Sequence, residues 1–126
     1  MKTETVTYFT EREEELVSLL IQLGMKQNVA KVLVFLANIP EATSKAIERG
    51  TDLRQPEVSI AVHHLIDQGW IASRESKRES KGRPLKIYNL AKPLTEIMDG
   101  IETEKKRESS NQLATMQKLR DYILSY

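Results

Sequence analysis

Between Leu53 and Ile71 the chain reads LRQPEVSIAVHHLIDQGWI. Val58, Ala61, Val62, Leu65 and Ile66 fall at i, i+3, i+4, i+7 and i+8, a spacing that only an α-helix turns to one side. Pro56 stands at the start, where a missing N–H costs no hydrogen bond, with Gln55 before it as a weak N-cap. Gly69 supplies the stop. The predicted helix, about 55–68, therefore has a fixed beginning and a fixed end. It buries one side and leaves Gln55, Ser59, Ile60 and His63 on the other, for water or a partner to meet.

The flanking sequence supplies what this helix needs to pack against. Thr10 and Glu13 form a capping-box pair, and Leu16, Val17, Leu20, Ile21 and Leu23 make an apolar stripe that ends at Gly24, predicting a helix over 11–23. A second helix over 27–38 holds Val29, Val32, Leu33, Phe35 and Leu36 and is the most apolar segment, hence the expected centre of the core. Thr43 can cap a short third helix, 44–49, with Ala46 and Ile47 inward and Gly50 as its stop. After the 55–68 helix, WIASRESKRESKGRPLKIYNL predicts a hairpin with strands 70–76 and 85–90 and an extended tip, 77–84. Trp70 is expected to anchor helix to sheet, and Gly82-Arg83-Pro84 to serve the turn. From Pro93 a helical pattern starts with Leu94, Ile97, Met98 and Ile101. It lapses through EKKRESSNQ and resumes with Leu113, Met116, Leu119, Ile123 and Tyr126.

Charge is distributed unevenly along a chain of net charge +1. Residues 70–92 hold seven bases and two acids, +5, whereas residues 1–20 stand at −3, 21–69 at zero and 93–126 at −1. A basic concentration on a hairpin tip points to an acidic partner. The chain has no cysteine, which excludes disulfides, thiolate metal sites and a thiol nucleophile. There is no glycine-rich phosphate loop. The two histidines are adjacent, so they point about 100° apart on a helix and favour neither a triad nor a shared metal. Glu13, Glu14 and Glu15 fall on an exposed helical face. Neither an enzyme, nor a cofactor, nor a metal site is expected. No apolar run reaches the roughly 20 residues of a membrane span, and MKTETVTYFT lacks a signal-peptide core, so a cytoplasmic protein is expected.

Helix, helix, short helix, turn, helix, basic hairpin and helical tail follow in that order. The segments ATSKAIERG, RQPEVSIAVHHLIDQGWI and KGRPLKIYNL carry a resemblance to the winged helix-turn-helix transcriptional regulators of bacteria and archaea, closest to the ArsR, MarR and TrmB-like groups. It covers roughly residues 23–90. The resemblance implies a mainly α winged-helix fold with a two-stranded wing, a DNA-binding domain over 11–92 after an arm at 1–10, and a recognition helix at 55–68. Helix geometry agrees: an α-helix fits the major groove, and only its exposed N-terminal side chains reach base edges. Arg54, Gln55, Ser59, Ile60 and His63 are the candidate readers of double-stranded DNA, Ile60 through a thymine methyl. Lys77, Arg78, Lys81 and Arg83 are the candidate contacts to phosphates or the minor groove. The alternative is a protein-assembly module, which has no need of a basic wing.

The tail, 93–126, is expected to pair two copies through Leu94, Ile97, Ile101, Leu113, Met116, Leu119 and Ile123, matching a two-fold operator. The competing fate is folding back on the first helix. The wing yields the first prediction. Replacing Lys77, Arg78, Lys81 and Arg83 together with alanine should flatten the salt dependence of DNA affinity by about one unit for each phosphate no longer neutralised. An unchanged slope would remove the wing from the interface.

Overall fold

The computed structural model describes residues 9–76 and 84–126. The chain divides into two units, Met1–Lys92 and Pro93–Tyr126. In the first, the elements run α1 (Glu11–Gln22), α2 (Gln27–Asn38), β1 (Ala42–Thr43), α3 (Ser44–Thr51), α4 (Gln55–Asp67), β2 (Ile71–Ser76) and β3 (Leu85–Leu90). The second is a single helix, α5 (Leu94–Leu124). This is the mainly α winged-helix architecture, with one strand more than the hairpin alone.

The core is built around α2. Val29, Ala30, Val32, Leu33, Val34, Phe35 and Leu36 are all buried, so this helix is apolar on nearly every side that α1, α3, α4 and β3 cover. Around it close Val17 and Leu20 of α1, Ile47 of α3, and Val58, Ala61, Val62 and Leu65 of α4. The α1 stripe is narrower than its sequence suggests: Leu16 is half-buried, and Ile21 and Leu23 are exposed, Ile21 at 40%. At its start the Thr10 hydroxyl turns to the Glu13 carboxylate, which also accepts from the Thr10 N–H at 3.0 Å. These bonds hold the Glu13 carboxyl below its usual range, the hydroxyl contributing most.

Two helix ends differ from expectation for identifiable reasons. Helix α3 does not stop at Gly50 but runs on to Thr51, whose hydroxyl donates to the Ile47 carbonyl at 2.6 Å. The stop is Asp52, in the left-handed region at φ 61°, with its N–H on the Glu48 carbonyl. Gly50 answers a packing demand instead: a Cβ there would lie 2.1 Å from Cε1 of Phe35. Helix α4 has Arg54, not Gln55, at its N-cap. Arginine has no acceptor, so the capping comes from Glu57, whose Oε1 accepts the Arg54 N–H at 2.8 Å. Pro56 then stands second in the helix, where an N–H would also lack an intrahelical partner. Ile66, expected inside, is 38% exposed, because eight residues carry it about 80° past Val58.

The sheet has three antiparallel strands in the order β1-β3-β2. Ile71 pairs with Leu90 and Ser76 with Leu85, while Ala42 and Thr43 add a short edge opposite Tyr88 and Ile87. A two-residue strand is too short for alternation to reveal it. The hairpin base is tied down by Trp70, whose N–H donates to Leu65 at 3.1 Å and whose carbonyl accepts from Ala91 at 2.8 Å. Gly69, at φ 77°, turns the chain from α4 into β2. The Trp70 side chain is half-buried.

Helix α5 spans 31 residues without a break, about 46 Å at 1.5 Å per residue. The apolar pattern lapses at EKKRESSNQ but the helix does not, since Glu, Lys, Arg and Gln are good helix formers. Glu102–Lys106, Glu104–Arg107 and Lys105–Glu108 ion pairs stitch that stretch, each worth a few tenths of a kcal/mol at an exposed site.

The Gly50 packing generates a stability prediction. Phe35 is 2% exposed and cannot swing aside, so Gly50→Ala should destabilise the domain by about 1–3 kcal/mol. Gly100, with open space around it, should accept alanine with a gain of up to about 1 kcal/mol in helix stability. Urea unfolding of both variants checks this, and an unshifted midpoint for Gly50→Ala would contradict it.

Candidate nucleic-acid interface

Helix α4 is held by one side and open on the other. Val58, Ala61, Val62 and Leu65 are buried to 5% exposure or less, which fixes the rotation of the helix about its axis. At roughly 100° per residue, the line pointing straight away from that stripe runs through Pro56, Ile60, His63 and Asp67. Gln55 and Ser59 lie on one flank of the line, Glu57 and His64 on the other, and all are exposed. Of the predicted readers, Ser59, Ile60 and His63 share the outward half of the helix, while Gln55, about 110° from the line, is exposed where the helix begins. Arg54 is exposed at the cap, its N–H engaged by Glu57. Ile60 is 71% exposed, against 1% for Val58 and Ala61 beside it.

Beside this face the start of α2 and the first turns of α4 enclose a hollow of about 270 Å³. Val29 and Ala61 contribute apolar surface to it, and Lys26, Gln27, Asn28, Glu57 and Ile60 also line it. The sequence reading singled out none of Lys26, Gln27 and Asn28. No local pattern could have found them, since only the crossing of α2 and α4 brings them beside the exposed face of α4. A larger hollow, about 570 Å³, lies among α1, α2 and the end of α3, lined by residues that include Val17, Ile21, Lys31 and Asp52. None of the candidate readers borders it.

The wing bases Lys77, Arg78, Lys81 and Arg83 lie outside the described residues. Their supports are described: strands β2 and β3, with Ala72, Ser73, Arg74 and Glu75 exposed on β2. Arg74 forms an ion pair with Glu41, so this base is already partnered, and the pair joins β2 to the segment entering β1. Lys86 on β3 is exposed. Of the tail residues, Ile97 is buried, Leu94 and Ile101 are half-buried, and Leu113, Met116, Leu119 and Ile123 are exposed. Among the described residues no group of three acidic or histidine side chains is arranged to hold a metal, and no helix is long and apolar enough to cross a membrane.

Comparison with known proteins follows the same outline. Residues 23–81 match the model of the MarR family, a span that holds α2 through β2. The structure of TrmBL2, an archaeal chromatin protein, superposes with a TM-score of 0.72 at 15% identity, over 90% of this chain. This chain spans only 41% of the length of that one. A possible transcriptional regulator from Methanosarcina mazei gives a TM-score of 0.63 at 15% identity, over 83% of this chain and 85% of that one. A MarR family transcriptional regulator from Silicibacter pomeroyi gives 0.54 at 17% identity, over 90% and 80%. No curated protein sequence matches the chain. Over residues 23–81 the chain therefore matches the MarR family, and its fold is the winged helix-turn-helix.

Proposed function

We propose that the chain is a sequence-specific regulator of transcription that binds double-stranded DNA as a homodimer. Helix α4 enters the major groove, and the basic wing meets phosphates or the adjacent minor groove. One observation carries this reading: α4 is clamped by four buried residues and turns Ser59, Ile60 and, one turn further on, His63 outward, with Gln55 exposed at its start. A groove-reading helix needs that arrangement, because its position must be fixed while its front stays free. The net +5 of residues 70–92 supports the wing's role, and the MarR match supports the regulatory setting. TrmBL2, which shares the fold, is described as a chromatin protein with a novel mode of DNA binding.

The homodimer reading rests on α5. Leu113, Met116, Leu119 and Ile123 are exposed on it, and Met116, Leu119, Ile123 and Tyr126 repeat at three, four and three residues. That spacing makes a seam suited to a second helix. A single winged helix reads few base pairs, and pairing would supply two half-sites about one helical turn apart.

Two measurements follow. Gln55→Ala or Ser59→Ala should weaken the best duplex by about 1–3 kcal/mol and random DNA much less, because base contacts specify while phosphate contacts position. Equal losses on both would sink the choice of reading helix and favour an assembly role. Leu119→Glu with Ile123→Glu should convert a dimer to a species near the 14.4 kDa chain mass in light scattering. A wild-type chain already at that mass at tens of micromolar would contradict the pairing.

A further inference from the structure

Ile60 is the one candidate reader on α4 with no hydrogen-bonding side chain. It lies on the line pointing directly away from the core, between Pro56 and His63, and is 71% exposed. It does not belong to a broader apolar patch on this helix: Ile66, the other partly exposed aliphatic residue, lies about 120° away around the axis. Of the neighbours on its own face, Ser59 and His63 are polar and the Pro56 ring is apolar. A protein partner seated by hydrophobic contact would find Ile60 and the Pro56 ring here and not an extended surface.

We propose that Ile60 reads the C5 methyl group of a pyrimidine, in the first place thymine, in the major groove. This rests on the DNA-reading role of α4 and deepens it. On the major-groove edges of the four bases, the thymine C5 methyl is the single apolar group; the rest are hydrogen-bond donors and acceptors. An isoleucine side chain has no hydrogen bond to offer, so at the centre of a groove-reading face that methyl is its natural match. Its branched Cβ restricts χ1, so little rotamer freedom is given up on binding. The polar flank of Gln55 and Ser59 is left to read the neighbouring base pair. A 5-methylcytosine carries the same methyl at the same ring position and is the other source of this chemistry.

The test uses the full chain and a duplex selected from a random pool. Each thymine is replaced in turn by deoxyuridine, which removes the methyl and nothing else. The expected result is one or two positions at which uridine weakens binding about fourfold, the loss expected for one buried methyl. Ile60→Ala should bind the thymine and uridine duplexes equally, and Ile60→Val should keep part of the difference. Since Ile60 is exposed, the Ile60→Ala thermal midpoint should match wild type, which separates a binding defect from a folding defect. Replacing the sensitive thymine by cytosine and then by 5-methylcytosine distinguishes the sources. Recovery with 5-methylcytosine means that the methyl is read on either pyrimidine, and no recovery confines the reading to thymine. The proposal is overturned if no uridine position matters, or if Ile60→Ala keeps the wild-type thymine-to-uridine ratio. Should the chain fail to prefer the selected duplex over random DNA, the groove-reading role of α4 itself falls, and this proposal with it. A preference that survives every uridine substitution removes only the role of Ile60.

Discussion

The Phe35 ring occupies the space that any side chain at position 50 would need, and much of the first unit depends on that close approach. Phe35 belongs to α2, the helix buried on nearly every side, and Gly50 lies in the last turn of α3. The approach seats α3 on α2 and carries the chain to Asp52, where a left-handed residue ends the helix. Three residues later α4 begins, and its rotation is set by Val58, Ala61, Val62 and Leu65 against the same core. The face that α4 turns outward is thus determined by packing several turns upstream.

The proposed interface divides its chemistry by position. Along α4 the hydrogen-bonding side chains, Gln55 and Ser59, flank a line on which Ile60 is the aliphatic centre. Glu57, on the other flank of the line, has one oxygen committed to the Arg54 N–H, so its charge serves to start the helix. On the hairpin, Arg74 is likewise engaged by Glu41. In the sequence the bases of the hairpin concentrate on the tip, and Lys26 at the start of α2 is a further cation beside the exposed face of α4.

Periodicity revealed the helices because each is long enough for its buried stripe to repeat, and α2 and α4 begin where the apolar spacing predicts. The errors come from residues with two physical uses. Glycine at 50 reads as a stop, yet it answers the bulk of Phe35, fifteen positions away. Gln55 reads as a cap because it precedes proline, whereas the Glu57 carboxylate selects Arg54. Ile66 keeps the i+8 spacing but drifts off the stripe. The charged run in α5 breaks the apolar pattern without breaking the helix, because propensity and ion pairs suffice there. Lys26, Gln27 and Asn28 beside Ile60 were illegible for a different reason: their place beside the reading face comes from a helix crossing that no local spacing encodes.

The central claim is that the outward half of α4, together with the wing, is the surface that meets DNA. Backbone amide shifts of the isotope-labelled chain, followed while a selected duplex is added, test it residue by residue. The account predicts that the largest changes fall on 54–63 and 77–83, with smaller ones at 26–28, and that the amides lining the hollow among α1, α2 and α3 stay still. Changes concentrated in that hollow or along α5, with 54–63 unmoved, would contradict it.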